Sequence, residues 1–255
     1  MNNKIAAVPL KLVPHRETNL RMLMETAEQA ALAGAELVVF PEASLTGLNI
    51  SDCYNDDVKL CETVPGSSTV LVGNLCRRLG ISICFGLMEI WNGTIYDSAV
   101  LIDQEGKTAL HYRRISPGWR AAHVFSHQYS EGNSVPVANT HFGRTAVILC
   151  GDLFSEDVHE CLKMQLPDLL LVPMARSLPP VSNLNKYWKE ELEEYASRVE
   201  KIGIKTVLVN SLWDRMYSGD PTAGGAWVIS AQGRVEHSLP LNCSGFLLSV
   251  IHDNN

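Results

Sequence analysis

Apolar residues along this chain keep changing their spacing, and the changes divide it into strands and helices. "KIAAVPLKLV" is almost continuously apolar and predicts an opening strand. In "TNLRMLMETAEQAALAGAEL", Leu20, Leu23, Met24, Ala27 and Ala31 recur on one helical face, with Thr18 or Asn19 placed to cap it. "ELVVFPE" is a short buried strand stopped by Pro41, "GSSTVLVGNLCRRLG" a helix, and "ISICFGLMEI" the next strand. "TIYDSAVLIDQEGKTALHYRR" predicts a hairpin turning at residues 104–106. "GRTAVILC" then predicts a strand, "EDVHECLKMQ" a short helix and "DLLLVPM" a strand. The long amphipathic helix "NKYWKEELEEYASRVEKIG" leads into the strand "KTVLVNS". A second hairpin, "GAWVISAQGRVEHSL", and the strand "GFLLSVI" end the pattern.

Strands apolar on both faces, alternating with helices, imply an α/β protein whose sheets are covered by helices. The two hairpins require antiparallel pairs, which excludes an all-parallel sheet. Neither GxGxxG nor GxxxxGK[ST] occurs, so the usual nucleotide-binding fingerprints are missing. No repeat, low-complexity tract or linker interrupts the chain, and residues 1–255 are expected to form one domain. Residues 116–139 are polar and poorly periodic, the kind of long loop that lines an active site.

Composition narrows the possible functions. A formal charge of −7 gives no electrostatic footprint for nucleic acid or an anionic membrane. The sequence has neither a membrane-length apolar run nor a signal-peptide pattern, so a cytoplasmic protein is expected. Seven cysteines, an odd number with no CxxC pair, argue against a disulfide framework or a zinc ribbon. Most of these thiols are expected to be buried and reduced, and neither a metal nor an organic cofactor is expected.

Three strands end in chemically useful groups. Glu42 follows "LVVF", Arg113 and Arg114 follow "ALHY", and Cys150, Gly151 and Asp152 follow "AVIL". Strand ends of α/β sheets are where ligands usually bind. A thiol becomes a good nucleophile as its thiolate, with a base to take the proton or a cation to hold the charge. Glu42 suits the first task, and Arg114 the second or the developing oxyanion. Gly151 permits a sharp turn close to a substrate, and a following helix N-terminus would add positive potential. Spacing alone leaves plainer readings open: a solvated Pro-Glu turn, a surface arginine pair and a core cysteine.

"LVVFPEASLTG" followed by "TAVILCGDLFSE" closely resembles the nitrilase, or carbon–nitrogen hydrolase, superfamily. "YDSAVLIDQEGKTALHYRR" and "GGAWVISAQGRVEHSL" extend the likeness over nearly the whole chain. "SLTGLNISD" is especially similar to the glutaminase domains attached to some NAD synthetases. The resemblance implies a four-layer α-β-β-α sandwich, a Glu-Lys-Cys triad acting on amides or nitriles, and a homodimer or higher homo-oligomer. It makes Glu42 the base and Cys150 the nucleophile. Where the family reads Y-R-K, this chain has Tyr112, Arg113 and Arg114, so an arginine takes the lysine's place. Residues 116–128 lack the second glutamate of many members, leaving His123 or His127 as the nearest polar substitute. Gly151 replaces a common aromatic residue, which makes room for the wider guanidinium.

Met174, Ala175 and Arg176, at the end of "LLLVPMARSL", are the remaining candidates for substrate contact. The expected function is hydrolysis of a small-molecule amide through a cysteine thioester. The alternatives are a catalytically degenerate binding or scaffold protein and a redox sensor using Cys150 with Cys161.

Overall fold

The computed structural model describes residues 3–179, 181–213 and 221–251. Parallel strands β1 (Lys4–Ala7), β2 (Leu37–Val39) and β3 (Ser82–Trp91) open the first half. They are joined through α1 (Arg16–Leu32), the single-turn α2 (Tyr54–Asp57) and α3 (Ser67–Leu79). Strands β4 (Thr94–Ile102) and β5 (Thr108–Arg113) extend the sheet antiparallel, forming the expected hairpin.

The second half begins with β6 (Val137–Thr140), antiparallel to β7 (Gly143–Val147). Strands β7, β8 (Leu169–Met174) and β9 (Lys205–Asn210) are again parallel, connected by α4 (Glu156–Gln165) and α5 (Leu184–Ile202). A small pair follows, β10 (Leu212–Trp213) with β11 (Thr222–Ala223). Strands β12 (Ala226–Ile229) and β13 (Val235–Leu239) complete that sheet, and β14 (Leu247–Val250) returns to the first. The orders are β14-β1-β2-β3-β4-β5 and β13-β12-β9-β8-β7-β6. Both sheets are mixed, as the two hairpins require.

Side-chain alternation assigns the layers. On β3, Ile83, Phe85 and Leu87 turn outward to meet Leu23 and Ala27 of α1 and Val72 and Leu75 of α3. Cys84 turns inward and joins Ala99, Leu101 and Tyr112 against residues of the second sheet. Trp188, Tyr195 and Val199 of α5 cover that sheet's far side. The product is a four-layer α-β-β-α sandwich, each internal face closed by apolar burial worth about 25 cal/mol per Å².

Helix α1 starts earlier than its sequence pattern predicts. His15 occupies the cap position, leaving Thr18 and Asn19 inside the helix. Asn19 is fully buried and does different work. Its amide accepts from Val13 N at 2.9 Å and donates to Val13 O at 2.8 Å and Leu45 O at 2.9 Å. It thereby ties the chain after β1 to the loop after β2. The opening strand is also shorter than predicted, ending at Ala7 just before Pro9. Of the cysteines, only Cys76 and Cys84 are fully buried; all seven are free, and Cys53 is exposed. Among the described residues, no helix is long and apolar enough to cross a membrane.

Candidate active site

The loop after β2 carries Glu42 into the interior because it docks on β3 at a glycine. A Cβ on Gly86 would lie 2.7 Å from Glu42 Cα and 2.5 Å from Ala43 N. Gly86 N donates to Pro41 O at 3.0 Å, and Ser44 N to Gly86 O at 2.8 Å. Glu42 is fully buried, with both oxygens engaged. Oε1 accepts from Arg114 Nη1 at 2.9 Å, and Oε2 from the Ala175 amide at 2.8 Å.

Arg114 is the first residue beyond β5, and its amide donates to Asp97 O at 2.8 Å. Its Nε donates to Ser116 Oγ at 3.1 Å, and Nη1 lies 3.5 Å from Asp97 Oδ2. Burial works against its charge, but Glu42, Cys150 and Asp97 outweigh it and hold the guanidinium pKa above its ordinary value. Arg114 is thus a fixed cation, buried except where it meets the cavity described below.

Cys150 begins a 3-10 turn, Cys150–Phe154, where Leu149 enters from extended backbone. Its φ of 38° lies in the left-handed region, uncommon for a residue with a side chain. The turn expected at Gly151 is therefore made at Cys150 itself, and α4 begins only after Ser155, without abutting the thiol. Gly151 is needed for space. A Cβ there would fall 2.5 Å from Arg114 Nη2 and 3.1 Å from Ser116 Oγ. Burial and the nearby Glu42 push the Cys150 thiol up to about 12, against the opposing pull of Arg114. These surroundings favour the thiol over the thiolate.

Asp152, whose role sequence reasoning did not assign, joins the two strand ends. Its Oδ2 accepts from Leu149 N at 3.0 Å and Tyr112 Oη at 2.6 Å. Its Oδ1 accepts from Ile115 N at 3.2 Å and Ser116 N at 2.6 Å. One buried carboxylate therefore holds the Cys150 turn against the segment bearing Arg114. Its position two residues after the cysteine was the available signal.

A cavity of about 530 Å³ opens over this group, lined by Arg114, Cys150, Gly151, Ala175 and Arg176. Glu42 sits behind that wall through its bonds to Arg114 and Ala175. Arg176 is held by Glu191 of α5, Nη2 to Oε2 at 3.0 Å, while Asn210 Oδ1 fixes its amide at 2.8 Å. Trp119, Arg120 and Ala121 from the long loop also line the cavity, as do Asp52, Glu191 and Tyr195.

Met174 and His127 are placed elsewhere. Met174 is fully buried in the core because strand alternation turns it away from the face that Ala175 enters. His127 is exposed and stacks on Phe125 with ring centroids 5.4 Å apart; His123 is exposed as well. Among the described residues, no three His, Cys, Asp or Glu side chains are gathered as a metal site requires.

The fold and these strand-end residues define a carbon–nitrogen hydrolase architecture, and the comparisons agree. The Carbon-nitrogen hydrolase family model matches residues 4–241, and the chain belongs to that family. It is 31% identical over 166 residues to Formamidase from Bacillus cereus (strain Q1), a match covering 60% of this chain and 47% of that protein. The chain thus spans about half the length of the curated relatives it matches. A carbon-nitrogen hydrolase from Helicobacter pylori G27 superposes with a TM-score of 0.82 at 16% identity, over 96% of this chain and 88% of that one. An amidase of the nitrilase superfamily from Nesterenkonia AN1 gives 0.77 at 18%, over 97% and 89%. The glutamine-dependent NAD+ synthetase from Acinetobacter baumannii gives 0.78 at 16%, over 99% of this chain and 48% of that one.

Proposed function

We propose that this chain hydrolyses the amide bond of a small molecule through a thioester on Cys150. The observation that carries the reading is the meeting of three strand ends at one cavity: Glu42 bonded to Arg114 at 2.9 Å, and Arg114 lining the same wall as Cys150. The Formamidase likeness and a Nesterenkonia amidase structure showing acrylamide added at the active site cysteine support the same chemistry.

Glu42 takes the thiol proton as Cys150 Sγ attacks the amide carbonyl carbon. Arg114 stabilises the oxyanion electrostatically, since a guanidinium keeps its proton where a lysine could release one. The tetrahedral intermediate collapses, and Glu42 delivers its proton to the leaving nitrogen. Water then attacks the thioester with Glu42 again as base, releasing the acid and restoring the thiol.

The test is ammonia release from a panel of small amides, formamide included, with intact-mass detection of an acyl group on Cys150. Release together with a Cys150 adduct is expected, and Arg114→Lys should lower the activity. If the natural chain releases nothing and forms no adduct while Arg114→Lys creates both, the chain is instead a degenerate hydrolase.

A further inference from the structure

Asp97 is a buried acid that the steps above leave unused. It lies on β4, 1% exposed, on the inward face that carries Ala99 and Leu101. Arg114 Nη1 approaches its Oδ2 at 3.5 Å while donating at 2.9 Å to Glu42 Oε1, so a single nitrogen gathers both carboxyl groups. Neither Asp97 oxygen accepts a hydrogen bond.

The surrounding charges can be enumerated. Strand β5 and the residue after it present Tyr112 and Arg114, the loop after β2 presents Glu42, and the Cys150–Phe154 turn presents Cys150 and Asp152. The register partner on β3 is the uncharged Met88. One guanidinium therefore faces three carboxyl groups. Three N–H groups and one O–H donate to Asp152. Glu42 receives one N–H from Arg114 and one from Ala175. Asp97 has no donor, and a desolvated carboxylate without donors is the least stable of the three. A proton on Asp97 turns its contact with Glu42 from two like acceptors into a donor and an acceptor.

We infer that Asp97 is a protonated positioning residue, its carboxyl O–H donating to the Glu42 carboxylate so that the pair holds one proton beneath Arg114. Burial first, and then Glu42, raise the Asp97 pKa well above the ordinary carboxylate value, in keeping with this geometry. The arginine that replaces a lysine cannot release a proton, so the carboxyl pair becomes the site's store. When Glu42 takes the thiol proton the pair holds two, and when it serves the leaving nitrogen the pair returns to one. This role in turnover rests on the amidase reading, whereas the protonation of Asp97 does not.

Thermal melting of the full chain and of Asp97→Asn across pH tests the protonation. An acid whose pKa is raised on folding contributes stability that is complete below its unfolded value, 3.8, and is lost as pH rises toward the folded value. Asparagine keeps the shape and the donor without titrating. The variant should melt with the natural chain near pH 4 and about 2–4 °C above it near pH 8. A gap that is absent at every pH, or that widens in the opposite direction, overturns the inference. Should the variant fail to fold, the carboxyl 13C shifts of the Asp-labelled natural chain at pH 7 decide: one aspartic acid still protonated supports the inference, and all ionised overturns it.

Cys150 alkylation by iodoacetamide tests the link to the reacting atom. Its pH midpoint should fall by about one unit in Asp97→Asn, because the variant removes the negative charge that Asp97 acquires at high pH. An unchanged midpoint rules out the positioning role.

Discussion

Arg113 and Arg114 are adjacent and carry the same charge, yet each serves a different side of one sheet. Arg113 faces outward, where Glu89 accepts from its Nε at 2.9 Å and also from its Nη2. Glu89 further bonds Ser98 Oγ at 2.7 Å and His111 Nε2 at 2.8 Å, and the Arg113 guanidinium lies 4.1 Å from the Tyr96 ring centroid. Burial opposes ionisation of Glu89, but hydrogen bonds from Arg113, His111 and Ser98 prevail and bring its pKa down to about 2. One acid there is surrounded by donors. Arg114 faces inward, where Glu42 and Asp97 share one guanidinium beside a thiol and Asp97 lacks donors. A buried acid saturated with donors is a structural feature. A buried cluster with too few donors, opening on a cavity, marks a place where protons move.

The contrast can be broken by mutation. The largest effect belongs to Cys150→Ala, which should lower amide turnover by about 10⁴ or more while the thermal midpoint holds, since the residue lines an open cavity. Next, Arg114→Ala should cost about 10²–10³ in kcat, the usual loss of an oxyanion donor. Arg113→Ala should leave kcat within about threefold but reduce stability by about 1–3 kcal/mol, measured by urea unfolding, because Glu89 loses donors. Equal kinetic losses from both arginines would erase the distinction.

An acid titration sharpens it. Glu89 has a lowered folded pKa, so its contribution is present above the ordinary value of 4.5 and disappears as pH falls toward about 2. About 3 kcal/mol of stability should vanish across that window, and Glu89→Gln should lower stability at pH 7 while flattening the slope. A smaller catalytic effect than that of Arg114→Ala is expected from Gly151→Phe. Its ring would displace the Arg114 guanidinium and cut kcat about tenfold. Combining it with Arg114→Lys should restore part of that loss, a coupling read directly from a double-mutant cycle.

Much of this architecture was legible in periodicity. Helix α4 occupies the predicted stretch "EDVHECLKMQ", and the β4–β5 hairpin turns where residues 104–106 placed it. Glu42, Arg114 and Cys150 stood out because each follows an apolar strand with a residue of useful chemistry. Asp97 was harder to read. An acid inside the strand "TIYDSAVLI" has no local signal separating an inward side chain from an edge one. The α1 start was misplaced because Asn19 satisfies a capping pattern while bonding across the fold to Leu45.

The sequence by itself determined most of the longer elements, their order and the family, because hydrophobic spacing and strand-end motifs are local properties of the chain; the short α2, β6, β10 and β11 carried no such pattern. It placed Arg113 and Arg114 together just past a strand end without assigning either to a face. Only the tertiary structure decided which face met the thiol, that Met174 turned into the core beside Ala175, and that His127 stayed on the surface. It alone brought Asp97 and Glu42 under one guanidinium and set Gly151 against it. These positions are far apart in the chain, and their convergence depends on the packing of two sheets, a relation that local periodicity does not encode.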